Sequence, residues 1–128
     1  MRPLGAAAKV RGLGRSVLIV DDHPAFRSAA RALLEDAGFE VLGEAGDGAS
    51  AIATALELRP EIVLLDVQLP DVDGFTVGER LLECGVPTAI VLTSSRGIGS
   101  FRRRLAAHPW PFIAKSDLSA ATLAEAAG

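Results

Sequence analysis

Ile62-Val63-Leu64-Leu65-Asp66 decides the fold: four apolar residues in an unbroken run, then an acid. A strand with one face in water alternates apolar and polar side chains. A continuous run marks a strand covered on both faces, as in a parallel sheet flanked by helices. Three more such runs lie around it: Val17-Leu18-Ile19-Val20, Ala89-Ile90-Val91-Leu92 and Phe112-Ile113-Ala114. A weaker fifth, around Val41-Leu42, reads as an edge strand.

Helical periodicity fills the gaps. Over residues 24–37, Phe26, Ala29, Ala30, Leu33, Leu34 and Ala37 recur at i, i+3 and i+4 spacing. Pro24 suits the first helical position, and Gly38 follows the end as a cap. The pattern predicts further helices over residues 49–58, stopped by Pro60, and over 75–84, opened by Asp73-Gly74 and closed by Gly85. Two more are predicted over residues 98–107 and 119–127. Strand and helix therefore alternate five times. That order predicts an open, doubly wound α/β fold with a five-stranded parallel sheet and right-handed crossovers.

The chain has 128 residues, 49% hydrophobic and 23% charged, which suits one domain with a substantial core. Residues 1–15 carry Arg2, Lys9, Arg11 and Arg15 and no acid; they read as a mobile tail, with the folded domain over residues 16–128. Nine basic and sixteen acidic residues remain, a balance of −7 in the body. An acidic body argues against direct nucleic-acid binding, whose footprint is basic. No apolar run reaches the roughly 18 residues of a membrane span, and the start lacks the apolar core of a signal peptide. The single cysteine, Cys84, excludes an internal disulfide and fits a reducing cytoplasm.

In doubly wound sheets ligands bind beyond the carboxyl ends of the strands. The first strand ends in Asp21-Asp22, the third in Asp66, the fourth in Thr93 and the fifth in Lys115. Strand ends are polar wherever they meet solvent, but two acids, an acid, a hydroxyl and an amine on four strands form a chemical set. Gathered carboxylates raise one another's pKa. A hard divalent cation removes that conflict and prefers oxygen ligands; Mg²⁺ also keeps positions open for substrate oxygens. A carboxylate can act as a nucleophile and form an aspartyl phosphate. The Lys115 ammonium and Mg²⁺ would meet the charge on a transferring phosphoryl group, and the Thr93 hydroxyl could donate to it.

This arrangement resembles the receiver domains of two-component response regulators. The resemblance rests on Val-Asp-Asp-His-Pro at residues 20–24, Leu-Leu-Asp-Val-Gln-Leu-Pro-Asp-Val-Asp-Gly at 64–74, Val-Leu-Thr-Ser at 91–94 and Phe-Ile-Ala-Lys at 112–115. Asp22 to Asp66, Asp66 to Thr93 and Thr93 to Lys115 are 44, 27 and 22 positions apart, spacings that also match. It implies a flavodoxin-like (βα)5 fold with strand order 2-1-3-4-5. It implies Asp66 as phosphoacceptor, Asp22 and Asp66 as direct Mg²⁺ ligands, Asp21 partly through water, and Gln68 through its backbone carbonyl. Thr93 would be the switch hydroxyl, Lys115 the phosphoryl-binding amine, and Phe112 the aromatic that repacks with Thr93. The partners implied are a sensor histidine kinase or phosphotransfer protein, with a homodimer as an option. The Asp-His-Pro wording is most similar to the subgroup that often carries a LuxR-type helix-turn-helix output domain, for which this sequence holds no matching segment.

Two features depart from that pattern. Ser116 follows the lysine where proline is common, and His108-Pro109-Trp110-Pro111 precedes the fifth strand. His23 is read as ordering the loop before the first helix, Trp110 as packing, and Cys84 as a small apolar filler. Gly97 and Gly99 predict a mobile start to the fourth helix. Arg102-Arg103-Arg104 is a solvated face or a docking surface. Two other functions fit the same fold. One is a pseudo-receiver that binds without phosphorylation. The other is a small Asp-nucleophile phosphatase, which would want a second acid where Gln68 stands.

Overall fold

The computed structural model describes residues 14–128; the basic tail read over residues 1–15 lies almost wholly outside the described residues. The strands are β1 (Ser16–Val20), β2 (Glu40–Ala45), β3 (Ile62–Asp66), β4 (Ala89–Ser94) and β5 (Phe112–Ala114). The helices are α1 (Pro24–Asp36), α2 (Gly48–Leu58), α3 (Gly74–Glu83), α4 (Arg102–Ala106) and α5 (Ala120–Ala127). The sheet is parallel throughout, in the order β2-β1-β3-β4-β5, as the resemblance implies. No helix among the described residues is long and apolar enough to cross a membrane.

Each central strand feeds two cores. Leu18, Val20, Val63, Leu65 and Leu92 pack on one face with Ala51 and Ala55 of α2, Phe75, Val77 and Leu81 of α3, and Phe101. Val17, Ile19, Ile62, Leu64, Val91 and Ile113 pack on the other with Ala30 and Leu34 of α1 and Leu123 of α5. This is why the apolar runs do not alternate. Each fully buried side chain of this kind contributes roughly 1.5–3 kcal/mol. The weak fifth run proves to be the edge strand β2, which buries only Val41 and Ala45. Between Val17 and Leu18 its pairing with β1 slips by one residue.

Local signals set most ends. Past α1, Gly38 takes φ 99°; its N–H donates to the Glu35 carbonyl, and Phe39 N–H reaches back to Leu34. That satisfies the last carbonyls and turns Phe39 into the core beside Leu34. Ser119 and Thr122 form a reciprocal capping box that starts α5, and buried Leu123 anchors this short helix.

Two expectations need correction. The fourth helix is not continuous over residues 98–107. A 3₁₀ turn at Ile98–Phe101 comes first, and only then α4. Gly97, Gly99 and Ser100 are poor α-formers, so the tighter turn wins until the arginines begin. Cys84 is not a filler: it caps α3 and is exposed, while Leu81 and Val86 take the core on either side of it.

Gly74 marks the tightest backbone crossing near the strand ends. Its N–H donates to the Val67 carbonyl at 2.7 Å, and a Cβ there would collide with the Asp66 carbonyl oxygen. Gly74→Ala is expected to cost about 1–3 kcal/mol of stability, read as a lower urea midpoint at unchanged slope.

Candidate functional site

The ladders carry the reactive side chains to one edge. Asp21 directly follows β1, and its N–H still donates to the Ala45 carbonyl of β2. Asp66 ends β3 and pairs in register with Thr93 of β4. Val67 N–H then donates to the Thr93 carbonyl, so the two side chains sit on neighbouring strands held by a direct backbone bond. Lys115 begins a 3₁₀ turn straight after β5.

Asp21 and Asp66 are both buried. Lys115 Nζ lies 2.6 Å from Asp21 Oδ2 and 3.3 Å from Asp66 Oδ2. Its ammonium also sits 4.5 Å from the centre of the Phe26 ring on α1, a cation–π contact that aims it inward. Asp66 Oδ1 accepts from Gln68 N–H, and Asp21 Oδ1 accepts from His23 N–H. Asp22 stands at the rim, more exposed than either.

One ammonium thus faces two buried carboxylates and a third at the rim. Burial above all, with the Asp21 charge added, pushes the Asp66 pKa up to about 6; the Gln68 N–H and Lys115 pull against it. Asp21 goes the other way. Burial alone would raise it, but Lys115 and the His23 donors outweigh burial and hold it below the ordinary range. The nearer partner wins, since Lys115 is closer to Asp21.

The residues fit a divalent cation. Oxygens of Asp21, Asp22 and Asp66 and a His23 ring nitrogen lie within 4.8 Å of one another. Asp21 Oδ2 is buried against the Lys115 ammonium 2.6 Å away, which must also serve Asp66. A hard ion that prefers oxygen answers the surplus negative charge that one ammonium leaves. The Thr93 Oγ1 is buried with no hydrogen-bond partner among the described residues.

The structure therefore brings Asp21, Asp22, Asp66 and Lys115 together, with Thr93 alongside. Gln68 is exposed and touches the site through its backbone N–H. Phe112 pairs in register with Leu92, and its ring packs 6.0 Å from that of Phe101. His23, given no partner by the sequence reading, sets its Nδ1 2.9 Å from Asp21 and 3.1 Å from Asp22. Sequence reasoning also missed Arg27, which donates to the Asp21 carbonyl and pairs with Glu44. It missed Asp71 as well, whose carboxylate accepts from the N–H groups of Gly48 and Ala49 at the start of α2. An acid in the loop after Asp66 was a visible signal for Asp71; Arg27 offered none beyond its place on the first helix.

The family model for the response regulator receiver domain matches residues 17–127. The virulence-factor transcription regulator BvgA of Bordetella pertussis is 41% identical over 88 residues, which cover 69% of this chain and 42% of that protein. The chain spans less than half the length of the curated relatives of this kind that it matches. Among solved structures, the signal receiver domain of the response regulator NarL from Mycobacterium tuberculosis superposes with TM-score 0.75 at 30% identity, covering 89% of this chain and 93% of that one. A chain of the CheX–CheY–BeF3–Mg complex from Borrelia burgdorferi gives TM-score 0.77 at 25% identity, covering 91% and 93%.

The raised Asp66 pKa has a sign. Folding favours the neutral acid, so that stabilising contribution is complete below the unfolded value of about 3.9 and is lost as pH rises through about 6. Asp66→Asn carries no charge at any pH. In EDTA it is expected to be more stable than wild type by on the order of 1–3 kcal/mol at pH 7.5, a gain that shrinks towards pH 5 in paired urea titrations.

Proposed function

The chain belongs to the response regulator receiver domain family, and on that premise we propose that Asp66 is the phosphoacceptor of a signalling switch. The observation that carries this reading is the buried Asp66 carboxylate, flanked by Asp21 and Asp22, reached by Lys115 and paired in register with an unpartnered Thr93 hydroxyl.

A carboxylate oxygen of Asp66 attacks the phosphorus of a phosphohistidine on a partner protein, or of a small acyl phosphate. The new P–O bond forms as the P–N or P–O bond to the donor breaks, and the imidazole or carboxylate leaves with the electron pair. With its pKa near 6, Asp66 is ionised at neutral pH, as a nucleophile must be. Asp21, Asp22 and Asp66, with the Gln68 carbonyl as a further oxygen, would hold Mg²⁺, which would supply positive charge against the phosphoryl oxygens. Lys115 supplies a second, and the fixed Gln68 N–H keeps one Asp66 oxygen oriented. The BeF3 and Mg²⁺ in the Borrelia complex are in keeping with this, since BeF3 has the shape of a phosphoryl group.

The new charge then has to be read out. Thr93 Oγ1 has no bond to give up, so turning it to a phosphoryl oxygen costs little and gains a charge-assisted hydrogen bond. Next to that strand end runs a groove of about 460 Å³ lined by Gly97, Ile98, Phe112, Ile113, Ala114, Asp117 and Thr122. We assign the altered protein-binding face to this side, with Phe112 as the aromatic that repacks. The donor is a sensor histidine kinase or phosphotransfer protein. The setting is the cytoplasm, where the exposed Cys84 thiol stays reduced. The chain accepts and slowly loses its own phosphoryl group; it does not turn over an external substrate.

Incubation with Mg²⁺ and acetyl phosphate is expected to add one phosphoryl group by intact-mass analysis. Asp66→Asn is expected to gain none, and Lys115→Ala to load roughly 100–1,000-fold more slowly. No gain in the folded wild-type chain, or an equal gain in Asp66→Asn, would sink the assignment and leave a binding module of the same fold.

A further inference from the structure

In the turn from α4 to β5, His108-Pro109-Trp110-Pro111, an imidazole makes the polar contact with α3. His108 Nδ1 lies 2.8 Å from the Arg104 carbonyl oxygen, one turn back on α4. Its Nε2 lies 2.9 Å from Glu79 Oε2 on α3. Both neighbours only accept hydrogen bonds, and a neutral imidazole has one N–H to give. The two contacts coexist only in the doubly protonated ring.

The surroundings suit a cation. The Trp110 indole stacks on the ring with centroids 4.7 Å apart and planes at 21°, and the Phe75 ring lies 5.0 Å away. The indole fits only because α3 offers no side chain at Gly78, where a Cβ would come within 2.6 Å of it. Among the described residues, the charged groups facing His108 are Glu79 from α3 and Arg104 from α4. The Arg104 guanidinium opposes the proton but is committed 2.8 Å away to Asp73.

We propose that His108 is a proton-operated clasp: its imidazolium pins the α4–β5 turn to α3, and loss of the proton releases the Glu79 side. Glu79 is the contact that goes, because its exposed carboxylate is readily hydrated, whereas the Arg104 carbonyl lies within the same local turn. The Arg104 carbonyl and then Glu79 raise the His108 pKa above its ordinary 6.5. The clasp is therefore complete below pH 6.5 and lost as pH rises through the folded-state value. The turn runs directly into Phe112, and the Pro111 carbonyl accepts from Leu92 N–H. Proton loss thus loosens the face that borders the groove, whether or not Asp66 is ever phosphorylated.

Trp110 is the sole tryptophan, and an imidazolium quenches indole emission more strongly than an imidazole. Emission of the full chain from pH 5.5 to 8.5 is expected to rise once, with its midpoint above 6.5. The rise should vanish in His108→Gln, persist in His23→Gln and move down by about half a unit or more in Glu79→Gln. Should His108→Gln misfold, the ¹H NMR titration of His23→Gln, in which His108 is the only histidine, gives the same pKa directly. A midpoint below 6.5, an unshifted Glu79→Gln or a rise that survives in folded His108→Gln would overturn the clasp.

Discussion

One imbalance organises this domain: two carboxylates buried at adjoining strand ends share one ammonium, with a third acid at the rim. Lys115 crosses from β5 to reach Asp21 after β1, passing the ends of β3 and β4. The pair cannot be satisfied equally. Asp21 is held below the ordinary carboxylate range by Lys115 and the His23 donors, and burial pushes Asp66 up to about 6. An apolar substitute would fold more easily. What the strained arrangement provides is a carboxylate whose charge a cation or a phosphoryl group can rebalance, and so a site whose energy depends on what is bound there.

The sheet transmits that imbalance because its strands are rigid and covered on both sides. Asp66 and Thr93 are register partners, and backbone bonds continue past them in the Val67–Thr93 contact. A change at Asp66 is therefore felt first at a buried hydroxyl on the next strand. Beyond Thr93 the chain leaves the sheet as a 3₁₀ turn and a short helix, held by side-chain contacts such as Arg104 with Asp73 and the Phe75 ring. Rigid backbone passes into side-chain fastening where the fold has most freedom to repack.

Much of this was legible in the residues. Four continuous apolar runs and a weaker fifth marked the strands, the polar residues after the four gave the carboxylates, lysine and threonine, and Gly38 and Gly85 marked helix ends. What was illegible depends on distances between elements. Nothing local says that Arg27 would reach the Asp21 carbonyl, or that Glu79 and His108, 29 positions apart, would meet. The fourth helix misled because Ile98, Phe101 and Leu105 keep a helical period while Gly97, Gly99 and Ser100 weaken the backbone that should carry it. The neighbours of His23 were hidden by its sequence position: adjacency to Asp22 read as loop order, whereas the ring folds back on both acids.

The loop after β3 has three separate moorings. Gly74 bonds back to Val67, Asp71 holds the start of α2, and Asp73 both opens α3 and meets Arg104 of α4. A segment tied to so many neighbours tolerates a change of length poorly, since an added residue between Val67 and Asp71 shifts the ties to Val67 and to the start of α2 against each other. Residues 97–100 end β4's path with no such ties to Cβ-sized neighbours at either glycine. That second stretch has room for side chains at both glycines, whereas the loop beside Asp66 is the place to leave whole.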